Sequence, residues 1–189
     1  MSTRGQRTTS RSTAEDQRRR ILGVAVRTFS RAGYFATPVA DIATAAEVSP
    51  AYVFRLFGGK LELFVFAVES CYDQVAAAMS AGGETSPASN PVEKVDAMAR
   101  AYVDLIADRS LIALQGHAQS ACEIPEVRDA VRRGLAKIAR VVSSVPGVTP
   151  DNVQRVVAYG QLCNLIVQAG LDELDTEWAK SLTNGIRHS

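Results

Sequence analysis

Residues 37 to 60 read Thr-Pro-Val-Ala-Asp-Ile-Ala-Thr-Ala-Ala-Glu-Val-Ser-Pro-Ala-Tyr-Val-Phe-Arg-Leu-Phe-Gly-Gly-Lys, and this stretch decides the fold. Thr37 can cap a first short helix with its hydroxyl while Pro38 takes the first helical position, where a missing N–H costs nothing. Val39, Ile42, Ala43 and Ala46 then recur at helical spacing and form one apolar stripe. After Glu47-Val48 the start signal repeats as Ser49-Pro50, Val53, Phe54 and Phe57 supply a second stripe, and Gly58-Gly59 stops the helix. Two short helices joined so closely have the form of a helix-turn-helix, whose second helix enters the DNA major groove.

That second helix carries more than packing asks for. Tyr52, Phe54 and Arg55 crowd a very short segment, and Lys60 follows at once. Ser49 and the free N–H groups of the first turn suit a phosphate, helped by the positive end of the helix dipole. A tyrosine hydroxyl, a guanidinium and an ammonium can all reach phosphates or base edges, and only arginine offers the fork that matches guanine. The spacing alone leaves a second reading open, in which Tyr52 and Phe54 are core and Arg55 is a solvated charge.

Phe29, Gly33-Tyr34, Thr37, Ile42-Ala43, the run Val48 to Phe57 and Lys60-Leu61-Glu62-Leu63-Phe64 together resemble the N-terminal DNA-binding domain of the tetracycline-repressor (TetR) family of bacterial transcription regulators. The likeness covers residues 14 to 66 or so without an insertion. It implies DNA contacts from Thr37, Ser49, Pro50, Ala51, Tyr52, Phe54, Arg55 and Lys60. The sequence departs from the family pattern at Glu47, where glycine is frequent, at Ala51-Tyr52, where Gly-Thr is frequent, at Phe54, usually tyrosine, and at Gly59, often Ser or Asn. Losing the hydroxyl at Phe54 removes one phosphate contact, which Tyr52 is placed to replace.

Charge follows the same division. Residues 1 to 60 carry ten Arg/Lys against four acids, whereas the remainder carries eleven against sixteen, although the whole chain has a net charge of only +1. Binding to a polyanion predicts this asymmetry. At 189 residues and 47% hydrophobic, the chain suits a small head on a larger body, with no apolar run long enough to span a bilayer. The polar N-terminus lacks the apolar segment of a secretory signal, so a cytoplasmic protein is expected. Cys71, Cys122 and Cys163 are odd in number and widely spaced, and only His117 and His188 are histidines. Neither a disulfide framework, a metal site nor a cofactor is therefore expected.

Three segments are expected along an all-α chain. Residues 1 to 11 form a disordered basic arm, in which Arg4, Arg7 and Arg11 could follow phosphates or enter a minor groove. Residues 12 to 59 form the helix-turn-helix head, opened by the capping-box pattern Ser12-Thr13-Ala14-Glu15, with a first helix ending near Ala32-Gly33 and Tyr34-Phe35 pinned on the core. Residues 60 to 189 form a helical regulatory and dimerisation body, starting with a long helix over 60 to 80 that Gly82-Gly83 ends. Further helices are expected at 91–109, 110–122, 125–144, 150–170 and 175–184, several announced by a cap-then-proline pair such as Asn90-Pro91 or Thr149-Pro150.

The helix over 150–170 is apolar around much of its circumference and must be covered on several sides. Family resemblance implies that a second copy covers it, through Val153, Val156, Val157, Gly160, Asn164, Val167 and Trp178, in a homodimer that would set two reading helices on a palindromic operator. Met98, Tyr102, Gln115, His117, Gln119 and Cys122 combine polar tips with apolar surroundings where the resemblance places effector sites, and they are the expected lining of a small-molecule pocket. The function expected is a DNA-binding regulator, a repressor released by a small-molecule effector. The alternative is a small α-helical enzyme or ligand carrier with an incidental helix-turn-helix. No phosphate-cradling glycine loop, His-Glu-x-x-His or nucleophile elbow supports the enzyme.

Overall fold

The computed structural model describes residues 5 to 184, with side chains from residue 14 onward. Nine α-helices order these residues: α1 (Gly5–Ala36), α2 (Val39–Ala45), α3 (Pro50–Phe57), α4 (Lys60–Thr85), α5 (Pro91–Leu105), α6 (Arg109–Ser120), α7 (Pro125–Ser143), α8 (Pro150–Ala169) and α9 (Glu177–Thr183), with a short 3₁₀ turn at Leu171–Glu173. The described residues are all-α, with a helix-turn-helix head and a helical body.

The α1 backbone is helical from Gly5, well before the capping-box pattern at Ser12. Residues 5 to 11 of the expected arm are therefore helical, and residues 1 to 4 lie outside the described residues. Ile21, Val24, Ala25 and Phe29 fill the head from α1, and Phe29 meets Phe64 of α4 edge-on with ring centroids 4.8 Å apart. At Gly33 the backbone leaves helical geometry (φ 70°, ψ −171°), where the sequence places the end of the helix. Tyr34 packs against Phe64, but Phe35 is exposed and does not pin the core.

Two local expectations need correction. The first turn of α2 begins at Val39, so Pro38 occupies the cap position and has no side-chain acceptor to offer. Thr37 stands one residue too early to reach the free amides; it is buried, 2% exposed, and its hydroxyl meets no hydrogen-bond partner. In α4, Gly82 and Gly83 lie inside the helix instead of ending it. A Cβ on Gly82 would come within 2.6 Å of Ala101 Cβ and 2.9 Å of Ala97 O, and one on Gly83 within 3.0 Å of Met98 Cγ. These glycines let α4 and α5 approach closely.

The α2–α3 turn closes with Val48 N–H donating to Ala43 O (2.9 Å) and Glu47 N–H to Thr44 O (3.0 Å), the paired bonds of a Schellman motif. Its left-handed position falls on Glu47 (φ 52°), the only described non-glycine residue with positive φ. A Cβ there costs about 1 kcal/mol relative to glycine. Glu47→Gly is expected to raise the melting temperature by about 2–4 °C in a thermal scan without altering the far-UV spectrum.

Candidate nucleic-acid interface and interior cavity

Ser49 starts α3 as the sequence indicates: its hydroxyl accepts from Tyr52 N–H at 3.2 Å, and Pro50 fills the first helical position. Val53 and Phe57 face inward, and Gly58 (φ 93°) takes the left-handed exit. Turned outward are Ser49, Pro50, Ala51, Phe54 and Arg55, with Tyr52 half-buried between the two faces. Phe54 is 46% exposed, so the reading that buries it is excluded. Arg55 lies over the Tyr52 ring, 4.8 Å from its centroid, which holds the guanidinium out from the helix. Lys60 donates to Phe35 O at 3.2 Å and sits 4.9 Å from the Tyr34 ring, so its ammonium is tethered at the rim of this face. Thr37, the remaining expected contact, is buried away from the face.

The head is held by residues whose spacing gave no hint of that role. Arg20 donates to Ala46 O at 2.7 Å and Arg18 to Leu56 O at 2.6 Å, so α1 places positive charge at the C-terminal ends of both short helices. Arg18 is also clasped between the Phe57 and Phe66 rings, 4.6 and 4.5 Å from their centroids. Part of the positive charge of the head is thus structural.

A short amphipathic helix presented with an arginine, a tyrosine and a free N-terminal turn suits the major groove. Residues 21–65 match the sequence profile described as "Bacterial regulatory proteins, tetR family". Residues 21–65 have the sequence of a TetR-type head. The fold of the whole chain agrees. It superposes on a TetR transcriptional regulator from Legionella pneumophila with a TM-score of 0.69 at 21% identity, covering 89% of this chain and 92% of that one. A TetR-family regulator from Agrobacterium tumefaciens gives 0.66 at 17% identity, covering 92% and 95%. The fatty acid degradation regulator FadR from Bacillus halodurans gives 0.63 at 16%, covering 89% and 98%. No curated protein sequence matches. Residues 21–65 thus resemble the head of that family, and the body behind them has the fold of these regulators.

Two features tie head to body. The long helix α4 begins at the exit of α3 and runs through the body core. His117 of α6 packs into the break of α1, where a Cβ on Gly33 would lie 2.7 Å from its Nδ1.

Inside the body, α4 to α8 line a small, partly open cavity of about 30 Å³. Val75, Met79, Ala99, Leu135 and Ile138 form apolar walls; Tyr102 and Gln115 reach in; α8 closes it with Val156, Val157, Tyr159, Gly160 and Gln161. Of the six expected pocket residues, the structure brings Tyr102 and Gln115 together here. Met98 lies against Gly83, His117 against Gly33, Gln119 beside Tyr72, and Cys122 donates its thiol to Ala118 O at 3.4 Å. Val156, Val157 and Gly160, expected at a subunit interface, are half-buried and line the cavity. Asn164 is 5% exposed and accepts from the Tyr102 hydroxyl at 3.3 Å, and Val167 is also covered by its own chain, so neither is available to a partner. Val153 is partly buried against the core.

Burial holds the titratable groups of this region neutral. The Cys71 thiol and the Tyr72 hydroxyl are each pushed up to about 12, and Cys163 to about 11. Tyr102 is raised further, by burial first and by Cys163 second. Among the described residues no cluster of His, Cys, Asp or Glu could hold a metal ion, and no helix is long and apolar enough to cross a membrane.

Proposed function

We propose that this protein is a homodimeric, effector-responsive transcriptional regulator, a non-enzymatic cytoplasmic repressor that leaves a palindromic operator when a small molecule enters its body. The observation that carries the reading is the outward face of α3, with Arg55 stacked on Tyr52 and Phe54 exposed beside it. Residues 12–59 serve as the reading unit and 60–189 as the regulatory and dimerisation unit, with Ser49, Pro50, Ala51, Tyr52, Phe54, Arg55 and Lys60 as the DNA contacts.

A partner surface remains on the outside of α8 and α9. Leu165 is 54% exposed and Trp178 56%, and Leu174 and Leu182 are exposed in the same C-terminal region. A second copy covering this apolar surface sets the two reading helices about a two-fold axis, as a palindrome requires. The effector favours a body conformation that separates the heads unsuitably, acting through α4 and through His117 on α1. Effector and DNA then weaken each other's binding by the same factor.

Capture of bound genomic fragments tests the reading. The expected result is a palindromic site recovered by a species that sediments as a dimer at micromolar concentration. Fragments without shared sequence, or a monomer under those conditions, would overturn it.

A further inference from the structure

The outward face of α3 is nearly bare of polar side chains. Pro50, Ala51, Phe54 and Arg55 are exposed there, and of these only Arg55 can form a side-chain hydrogen bond. Tyr52 and Leu56 pack against the core of the head, whereas Phe54 leaves 46% of its surface in solvent. Ala51 precedes Phe54 by three positions, so its methyl and the phenyl ring are neighbours on that face. The Arg55 guanidinium stacks on Tyr52, 4.8 Å from the ring centroid, and Phe54 offers carbon alone.

A phenyl ring has no donor to give a phosphate. Base edges in the major groove present acceptors, amino groups and, on thymine alone, a methyl. Laid against guanine or cytosine, the ring would strip water from polar atoms without replacing it. Laid against thymine, it covers a methyl that gains by leaving water. The same ring therefore attracts one base and penalises others, which is how specificity is built.

Resting on the DNA-reading role proposed above for α3, we infer that Phe54, with Ala51 beside it, determines specificity by packing on the C5 methyl of a thymine in each operator half-site. Arg55 supplies the polar part of the same reading through its hydrogen bonds to a base edge. The missing hydroxyl at Phe54 is then a gain in apolar reading as well as the loss of a phosphate contact.

The test removes the methyl and nothing else. On the captured operator fragment each thymine is replaced in turn by deoxyuridine, at both symmetry-related positions together, and binding of the full chain is titrated at fixed salt. A symmetry-related pair of thymines is expected to respond, with affinity falling about 15-fold, or roughly fourfold for each methyl. Cytosine and 5-methylcytosine placed at that position should differ by a similar factor, the methylated base binding more tightly. Phe54→Ala should lose the response to deoxyuridine while keeping the parent's melting temperature, since the ring is exposed. Phe54→Leu keeps an apolar branch at the site and should retain most of the response. A half-site without thymine, indifference to deoxyuridine at every thymine, or a response that Phe54→Ala leaves intact would overturn the assignment while palindrome binding, and with it the regulator reading, stands. Capture that returns no shared sequence would overturn both.

Discussion

Arg55→Ala is expected to lower affinity for the captured operator by roughly 10- to 100-fold and to flatten its sequence preference at the position that arginine reads. Arg55 is exposed on α3 and braced against Tyr52, so the fork is partly ordered before DNA arrives. Bidentate hydrogen bonding to a base edge discriminates, whereas contact with a phosphate only adds affinity. Lys60→Ala supplies the contrast. Its ammonium is tethered to Phe35 O at 3.2 Å at the edge of the face, where a phosphate would lie. That substitution should weaken all sequences alike and reduce the salt slope by about one. A site-selection experiment giving Arg55→Ala the parent's base preferences would show that α3 does not read the groove through this residue.

Gly134→Ala should be the most destabilising single methyl in the body. The added Cβ would stand 2.2 Å from Cγ of the Tyr72 ring, and that ring is 1% exposed. A buried aromatic between α4 and α7 cannot swing aside, so the helices must part. Overpacking of this kind costs about 1–3 kcal/mol, which corresponds to a fall of about 3–10 °C in melting temperature. Gly116→Ala is the control. Its Cβ would meet Gln168 Nε2 at the same 2.2 Å, but Gln168 is exposed and its amide is the free end of a flexible side chain. Its melting temperature should stay within about 2 °C of the parent. Equal losses from both substitutions would mean that the α4–α7 contact is softer than the geometry indicates.

Helix α3 was legible because its signals are local. Ser49-Pro50 starts α3 and Gly58 ends it, as the order of residues indicates. Asn90-Pro91 and Thr149-Pro150 start α5 and α8 in the same way, with Asn90 and Thr149 accepting from Val92 and Asn152 amides. Where a cap failed, at Thr37, the error was a shift of one residue in the helix start. The pocket was less legible. Tyr102 and Gln115 were visible as polar tips among apolar neighbours, but nothing in their spacing separated them from Met98, His117, Gln119 and Cys122. The apolar breadth of α8 was the signal for the cavity walls, although a second subunit explained it equally well.

By itself, then, the sequence determined which segments are helical, where most of them start, and that the residues up to 60 carry the net positive charge, because caps, prolines and periodicity act within a few positions. Tertiary structure decided what each side chain faces. It made Gly82 and Gly83 a close contact between helices, turned Arg18 and Arg20 into braces for α2 and α3, and gave one face of α8 to the cavity and another to the exterior. Those roles depend on groups brought opposite from distant parts of the chain, as Arg18 meets Leu56 and Tyr102 meets Asn164, and no local pattern encodes that meeting.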